Sequence, residues 1–399
     1  MQSNLSHTIR LYPTKSQETF FKKACGSARV AYNYGLGKYK EQLDSGLKPR
    51  ILEIKKQFNK DKKTLFPWMS ETNKDANQQP FANLQSAFNR FFKKTARFPR
   101  FKKKGIKDSF YISNDRFSVQ GNKFKIPKLG WVKGSEKLRF TGKIQSAVIK
   151  RKANYWFVVI SVLTDKTFMT CDNQDVIGVD LGIKTLATLS NGLKIESKNP
   201  LRRKLQKLKL LQRALSRRVK GSSNRKKQIM KASKLHYEIS CIRKDCLDQL
   251  TTMLCKNFKV ICIEDLNVRG MVKNHKLALS ISDIGFGEFR RQLEYKSNLY
   301  GNQIIPVDRF YPSSKTCSFC GWIKEDLVLK DRMFTCKNCG QIIDRDLNAA
   351  INLKNYGLKQ IGKVIPELTS VDKTALVNSD IDETILDEAE ILECSVMDT

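Results

Sequence analysis

The sequence predicts a multidomain α/β protein: a small β-barrel domain carrying a helical insertion, then a mixed α/β core holding a cysteine-rich insertion. Three observations lead there. Short β-like runs separated by glycine turns crowd residues 109–163, the texture of a small barrel. Two wholly apolar runs, Val176-Ile-Gly-Val and Val260-Ile-Cys-Ile, each end at an acid and are separated by long helical periodicity, as buried strands of an α/β layer are. Two Cys-x2-Cys pairs stand close together near the C-terminal end. At 399 residues the chain has room for two or three domains.

Residues 6–11 alternate weakly and precede Pro13, which predicts a short strand and a helix from Thr14 or Ser16. Apolar helical rhythm then runs over 18–39, where Gly26 predicts a break between two helices. Over 81–94, Leu84, Phe88, Phe91 and Phe92 share one helical face and read as core. Strands are expected at 109–112, 116–119, 123–126, 137–140, 144–150 and 155–163, with the N-terminal strand joining the same barrel. After a linker near 167–175, residues 176–179 and 186–189 read as a strand pair that precedes a turn at Asn191-Gly192. A long helical hairpin follows, broken at Gly221-Ser-Ser-Asn224. The remaining elements are strands at 258–263 and 304–307, a helix at 286–300 and a helix from 344 to 358.

Charge supplies the first functional constraint. Lys and Arg number 74 against 39 acids, a net +35. Ten acids and a single Lys lie beyond residue 365, so the tail carries −9 and the body before it +44. A body this basic calls for a polyanion partner, nucleic acid foremost. The excess concentrates in two places. Arg97, Arg100 and Lys102–Lys104 interleave with Phe98 and Phe101, a pattern that can grip phosphates while rings stack on bases. Residues 201–234 hold 14 Lys or Arg and no acid, among them Arg202, Arg203, Lys204, Lys207, Arg213, Arg217 and Arg218. Like charges at i,i+4 destabilise an ordinary surface helix, so an all-positive face points to a phosphate partner. No apolar run reaches membrane-spanning length and no secretory h-region opens the chain, so no membrane partner is expected.

Eleven cysteines, an odd number, argue against a secreted disulfide framework and for a reducing compartment. Cys317-x2-Cys320-x15-Cys336-x2-Cys339, with Gly321 and Gly340 allowing the knuckle turns, reads as a closed four-sulfur site for structural zinc. Such a site holds a fold and leaves no open position to activate water. Asp180 and Glu264, at the ends of the two apolar runs, are placed to point into a crevice at a sheet edge. Equally, Asp180 can serve the Leu181-Gly182 turn and Glu264 can begin an exposed loop. In Asp344-Arg-Asp346-Leu-Asn-Ala-Ala-Ile-Asn, one acid suits an N-cap at Asp344, and Asp346 begins the helix. Three acids brought together would repel one another unless divalent cations such as Mg²⁺ relieved them.

These blocks taken together are similar to the insertion-sequence-encoded TnpB family, RNA-guided DNA nucleases related to compact type V CRISPR effectors. The resemblance spans most of residues 1–360. It is carried by Arg10-Leu-Tyr-Pro-Thr-Lys, Phe98-Pro-Arg-Phe-Lys-Lys-Lys-Gly, Pro127-Lys-Leu-Gly-Trp and Ile177-Gly-Val-Asp-Leu-Gly-Ile-Lys-Thr-Leu-Ala-Thr. Ile263-Glu-Asp-Leu-Asn-Val-Arg-Gly-Met, Tyr311-Pro-Ser-Ser-Lys-Thr-Cys-Ser-Phe-Cys-Gly, Cys339-Gly and Asp344-Arg-Asp-Leu-Asn-Ala-Ala-Ile-Asn-Leu complete it.

The resemblance implies a RuvC/RNase-H-like nuclease core over 171–365, with the basic hairpin at about 199–256 and an inserted zinc ribbon at about 313–342. Before it would lie a wedge-like barrel domain over 1–170 with a helical recognition insertion at about 14–95. An acidic, disordered tail would occupy 366–399. It implies Asp180, Glu264 and Asp346 as a two-Mg²⁺ catalytic set, with Asp346 preferred to Asp344; Lys184, four residues beyond Asp180, is near enough in sequence to be considered as a cation beside them. It further implies a guide RNA from the element end, double-stranded target DNA next to a short duplex motif, and a cytoplasmic protein, nucleoid-associated when on DNA. A monomer is favoured, with oligomeric state left open. Two other functions compete: a guided DNA-binding regulator that no longer cuts, and a conventional transposase without RNA.

Overall fold

A computed structural model describes residues 3–165, 173–328 and 330–364. The expectation of a disordered acidic tail lies outside the described residues. The chain packs as two units assembled from separated stretches. One comprises Met1–Thr170, Lys198–Met253 and Met271–Tyr300, the other Cys171–Ser197, Leu254–Gly270 and Gly301–Thr399.

The first unit contains a seven-stranded sheet of β1 (Ser3–Tyr12), β2 (Ser109–Ser113), β3 (Ser118–Gln120), β4 (Lys123–Ile126), β5 (Gly130–Gly134), β6 (Lys143–Lys152) and β7 (Tyr155–Thr164). Its order is β2-β6-β7-β1-β5-β4-β3, and every pairing is antiparallel. This overturns the predicted barrel. β2 and β3 remain as edges, and closure would require them to pair. β1 takes the centre, between β7 and β5, so the N-terminal strand does join this sheet. The stretch 137–140 forms no strand, and β5, bracketed by glycines, takes the place expected of it.

Between β1 and β2 run α1 (Lys15–Asp44), α2 (Ile51–Leu65) and α3 (Lys74–Phe92). A capping box starts α1: the Thr14 hydroxyl accepts from the Gln17 N–H and the Gln17 side chain accepts from the Thr14 N–H. α1 continues through Gly26 as one helix, not two. A Cβ at Gly26 would only graze Arg29 and Trp68 at 3.9–4.0 Å, so nothing there forces a break. Leu36, Phe58, Phe81, Leu84 and Phe88 make the core of the three helices, as expected of Leu84 and Phe88, whereas Phe92 is exposed.

Further along lie α4 (Pro200–Ser216), α5 (Ser223–Asn257), the single turn α6 (Val268–Met271), α7 (Ala278–Ile284) and α8 (Phe286–Tyr300). α4 and α5 form the predicted hairpin, with Leu208, Leu235 and Ile239 as the seam.

The second unit is built on a five-stranded mixed sheet of β8 (Val176–Asp180), β9 (Thr185–Leu189), β10 (Lys194–Glu196), β11 (Val260–Glu264) and β12 (Gln303–Val307), in the order β10-β9-β8-β11-β12. β8, β11 and β12 run parallel, and β9 and β10 antiparallel to their neighbours. A small ribbon pairs β13 (Met333–Thr335) with β14 (Ile342–Asp344) around a core of Phe334, Cys317 and Cys336. The last described helix, α9 (Arg345–Val364), lies against β8, β9, β11 and β12. Two glycines permit that approach. A Cβ on Gly178 would strike the Ala350 carbonyl and sit 2.6 Å from the Lys354 nitrogen, and one on Gly357 would strike the Cys262 sulfur. Among the described residues no helix is long and apolar enough to cross a membrane.

Candidate active site and metal centre

Asp180 is the last residue of β8 and Glu264 the last of β11. The strands are adjacent and parallel with Val179 opposite Ile263, so the two acids emerge side by side at the carboxyl edge, where open α/β sheets bind ligands. Asp346 comes from the first turn of α9, the helix seated on β8. All three line one cavity of about 300 Å³, together with Leu181, Gly182, Ser313, Ser314, Lys315, Leu327, Val328 and Arg345.

The electrostatics match that convergence. Burial, then the charges of Glu264 and Asp346, push the Asp180 carboxyl up to about 8, against the pull of Arg345. Glu264 accepts a 2.7 Å hydrogen bond from the Ser313 hydroxyl, and the Arg345 guanidinium lies 3.3 Å from Asp346. Asp344 faces another task. One of its oxygens accepts from the Asp346 and Leu347 N–H groups at 3.0 Å, capping α9, and the other pairs with Lys194 at 2.8 Å. Burial opposes ionisation there, but the Lys194 and helix N–H bonds outweigh it and hold Asp344 below the usual carboxylate range. The turn after β8 is closed by backbone, Gly182 N–H to the Leu186 carbonyl. Lys184 is exposed and does not line the cavity.

Carboxylates crowded into one cavity have the donor chemistry for a hard, oxygen-seeking divalent ion, but among the described residues only the four cysteines form a close-set ligand group. The four cysteines fit a softer one. Their sulfurs all lie within 4.8 Å of one another, with Cys317–Cys339 at 3.7 Å and Cys320–Cys336 at 3.5 Å. A tetrahedral zinc with bonds of about 2.3 Å sets its sulfurs about 3.8 Å apart. The Asn338 amide donates to Cys320 and, ahead of the Trp322 backbone, pulls that thiol down, whereas the neighbouring thiols push Cys339 up.

The cationic candidates divide by environment. Arg97, Arg100, Lys103 and Lys104 are exposed. Lys102 is exposed as well, but it is tied to the fold: Asn33 brackets its backbone at 2.8 and 3.0 Å, and its ammonium stands 4.1 Å from the centre of the Tyr32 ring. On α4, Arg202, Arg203, Lys207 and Arg213 are exposed, as are Arg217 and Arg218 just beyond its end, while Lys204 pairs with Glu238 of α5. Sequence reasoning missed Asp283, which is buried and accepts the Leu201 and Arg202 N–H groups at the start of α4. It also missed Ser313, Arg345, Asn348 and Asn352. The i,i+4 spacing of two asparagines within an apolar stripe was the available signal for the last pair.

A family model described as "Probable transposase", for the OrfB proteins of IS605 elements, matches residues 160–275. A Cas12f1-like TNB domain model matches 286–353, and a helix-turn-helix model matches 1–48, residues that here form β1 and the unbroken α1. A protein of Streptomyces pristinaespiralis is 34% identical over 357 residues, covering 88% of each chain. InsQ of Escherichia coli K12 is 32% identical over 367 residues, covering 88% of this chain and 91% of its own. Both carry the name "Putative RNA-guided DNA endonuclease". Among solved structures, the Cas12f1–sgRNA–target DNA complex matches with a TM-score of 0.55 at 17% identity, covering 86% of this chain and 83% of that one. The mixed sheet, its acid-tipped parallel strands and the cysteine ribbon place the second unit in the class of RuvC-like nuclease folds. The chain belongs to the TnpB family of insertion-sequence proteins.

Proposed function

We propose that this protein is an RNA-guided, divalent-metal-dependent DNA endonuclease of a transposable element, cutting target DNA beside a short duplex motif. The observation that carries the reading is the convergence of Asp180, Glu264 and Asp346 on one cavity from three distant stretches of chain. Mg²⁺ held by these carboxylates would supply activation of water and stabilisation of the leaving oxygen. Asp180, which feels the charge of both Glu264 and Asp346, would hold the ions together with them. Ser313 orients Glu264, and the α9 backbone orients Asp346. Arg345 and Lys315 line the same cavity and meet the charge that builds on a phosphodiester in the transition state. The ribbon holds zinc as structure.

The exposed cations of α4 and Arg217 and Arg218 beyond it, with Arg97, Arg100 and Lys102–Lys104, meet the phosphates of guide and heteroduplex, and base pairing supplies sequence selectivity. Residues 1–170 serve recognition of the duplex motif and 171–365 serve cutting. In cells the protein works in the cytoplasm on chromosomal DNA.

The test compares the wild-type and Asp180→Ala proteins, each purified with its guide RNA, on matched duplex with and without Mg²⁺. Cleavage by the wild type alone, with equal target binding by both, supports the reading. Binding without cleavage by either identifies a guided DNA-binding regulator. A wild-type protein that copurifies with no element-derived RNA points to a conventional transposase.

A further inference from the structure

The segment from Tyr311 to Ser318 joins two sites. At one end the Ser313 hydroxyl donates to Glu264 in the acidic cavity. Four residues on, Cys317 is the first of the clustered thiols. The segment is fastened to α9 by side-chain amides on its buried face. Asn352, 2% exposed, donates to the Ser313 carbonyl at 2.7 Å and the Thr316 carbonyl at 2.6 Å. Asn348, fully buried, donates to the Thr316 carbonyl at 2.7 Å and accepts from the Ser318 N–H at 2.9 Å. The Tyr311 and Tyr356 rings, 5.1 Å apart, close the far end. α9 is also the helix that presents Asp346.

Two asparagines on a helix whose neighbouring buried positions are Ala349, Ala350 and Leu353 are expensive to bury unless every polar atom finds a partner. Here both amide nitrogens and the Asn348 oxygen do, and those partners all belong to this one segment. Packing alone would be met by leucine. What the amides add is register: they fix where the Ser313 carbonyl stands, and hence where its hydroxyl meets Glu264.

Building on the nuclease reading, we propose that Asn352, seconded by Asn348, is a positioning residue that couples the cysteine metal site to the carboxylate cavity. Through Asn352 the knuckle at Cys317 and the hydroxyl on Glu264 share one anchor. Zinc in the ribbon sets the geometry that receives a divalent cation at Asp180, Glu264 and Asp346. Coupling of this kind is reciprocal, and groups that orient a ligand typically govern metal affinity by about 10–100-fold.

The experiment measures Mn²⁺ binding by electron paramagnetic resonance on the full-length protein with its guide RNA, with zinc content and melting temperature recorded for each variant. Asn352→Ala and Ser313→Ala are each expected to weaken Mn²⁺ binding by about 10-fold or more while zinc remains bound. Ser313→Thr, which keeps the hydroxyl, restores it. The double variant is no weaker than Ser313→Ala alone, because both act through one hydrogen bond. If Asn352→Ala does not fold, Asn352→Gln is read in its place. Unchanged Mn²⁺ affinity in the Asn352 variant, or losses that add in the double variant, overturns the coupling and leaves the nuclease reading standing. Wild-type Mn²⁺ binding that Asp180→Ala fails to reduce overturns both.

Discussion

Gly178 on β8 and Ala350 on α9 meet backbone to backbone, with no space for a Cβ between them. That contact brings the helix carrying Asp346 down onto the strand that ends in Asp180. Gly178→Ala must displace a helix, not a flexible side chain. It should cost about 3 kcal/mol and lower the melting temperature by roughly 6–12 °C. Calorimetry on the purified protein measures it, and a variant as stable as wild type would show that α9 sits elsewhere.

Asp344 and Asp346 separate by what they lose. Asp344→Ala removes the cap of α9 and the Lys194 pair, and should lower stability by about 1 kcal/mol in urea denaturation. Asp346→Ala should change stability by no more than about 0.5 kcal/mol, because it also relieves repulsion of Asp180, yet should abolish cleavage.

Cys336 is buried in the ribbon core beside Phe334. Cys336→Ser should reduce zinc from one ion per chain to near none, read by elemental analysis. Residues 313–342 should then become sensitive to limited proteolysis, since a structural metal contributes its binding energy directly to folding.

The exposed cations of α4 predict a salt signature. Replacing Arg202, Arg203 and Lys207 together with Ala should weaken nucleic-acid binding and reduce the slope of log K against log salt by about 2–3. Lys204→Ala should change it less, because Lys204 is already engaged with Glu238.

The second unit was far more legible in the sequence than the first, and the reason is range. The cysteine spacing announces a site because each pair supplies its two sulfurs locally. Asp180 and Glu264 were visible as strand ends, although only the parallel register of β8 and β11 sets them side by side. Asp344 was readable as a cap and Asp346 as the helix start, and the hydrogen bonds at the start of α9 show Asp344 in that cap. Barrel closure was misjudged because it depends on whether β2 and β3, widely separated in the sheet order, find each other. β5 was missed because Gly130 and Gly134 make Trp131-Val-Lys133 look like a turn. α2 was missed because its buried positions, Ile51, Ile54 and Phe58, are thinly spread among lysines.

The three carboxylates reach their cavity from stretches that leave the ribosome one after another, Asp180 first and Asp346 last. Under the nuclease reading, a nascent chain that stalls before α9 emerges carries two acids and lacks the third. Unfinished translation products are therefore harmless to the chromosome that encodes them, and cutting power arrives only with the last described helix.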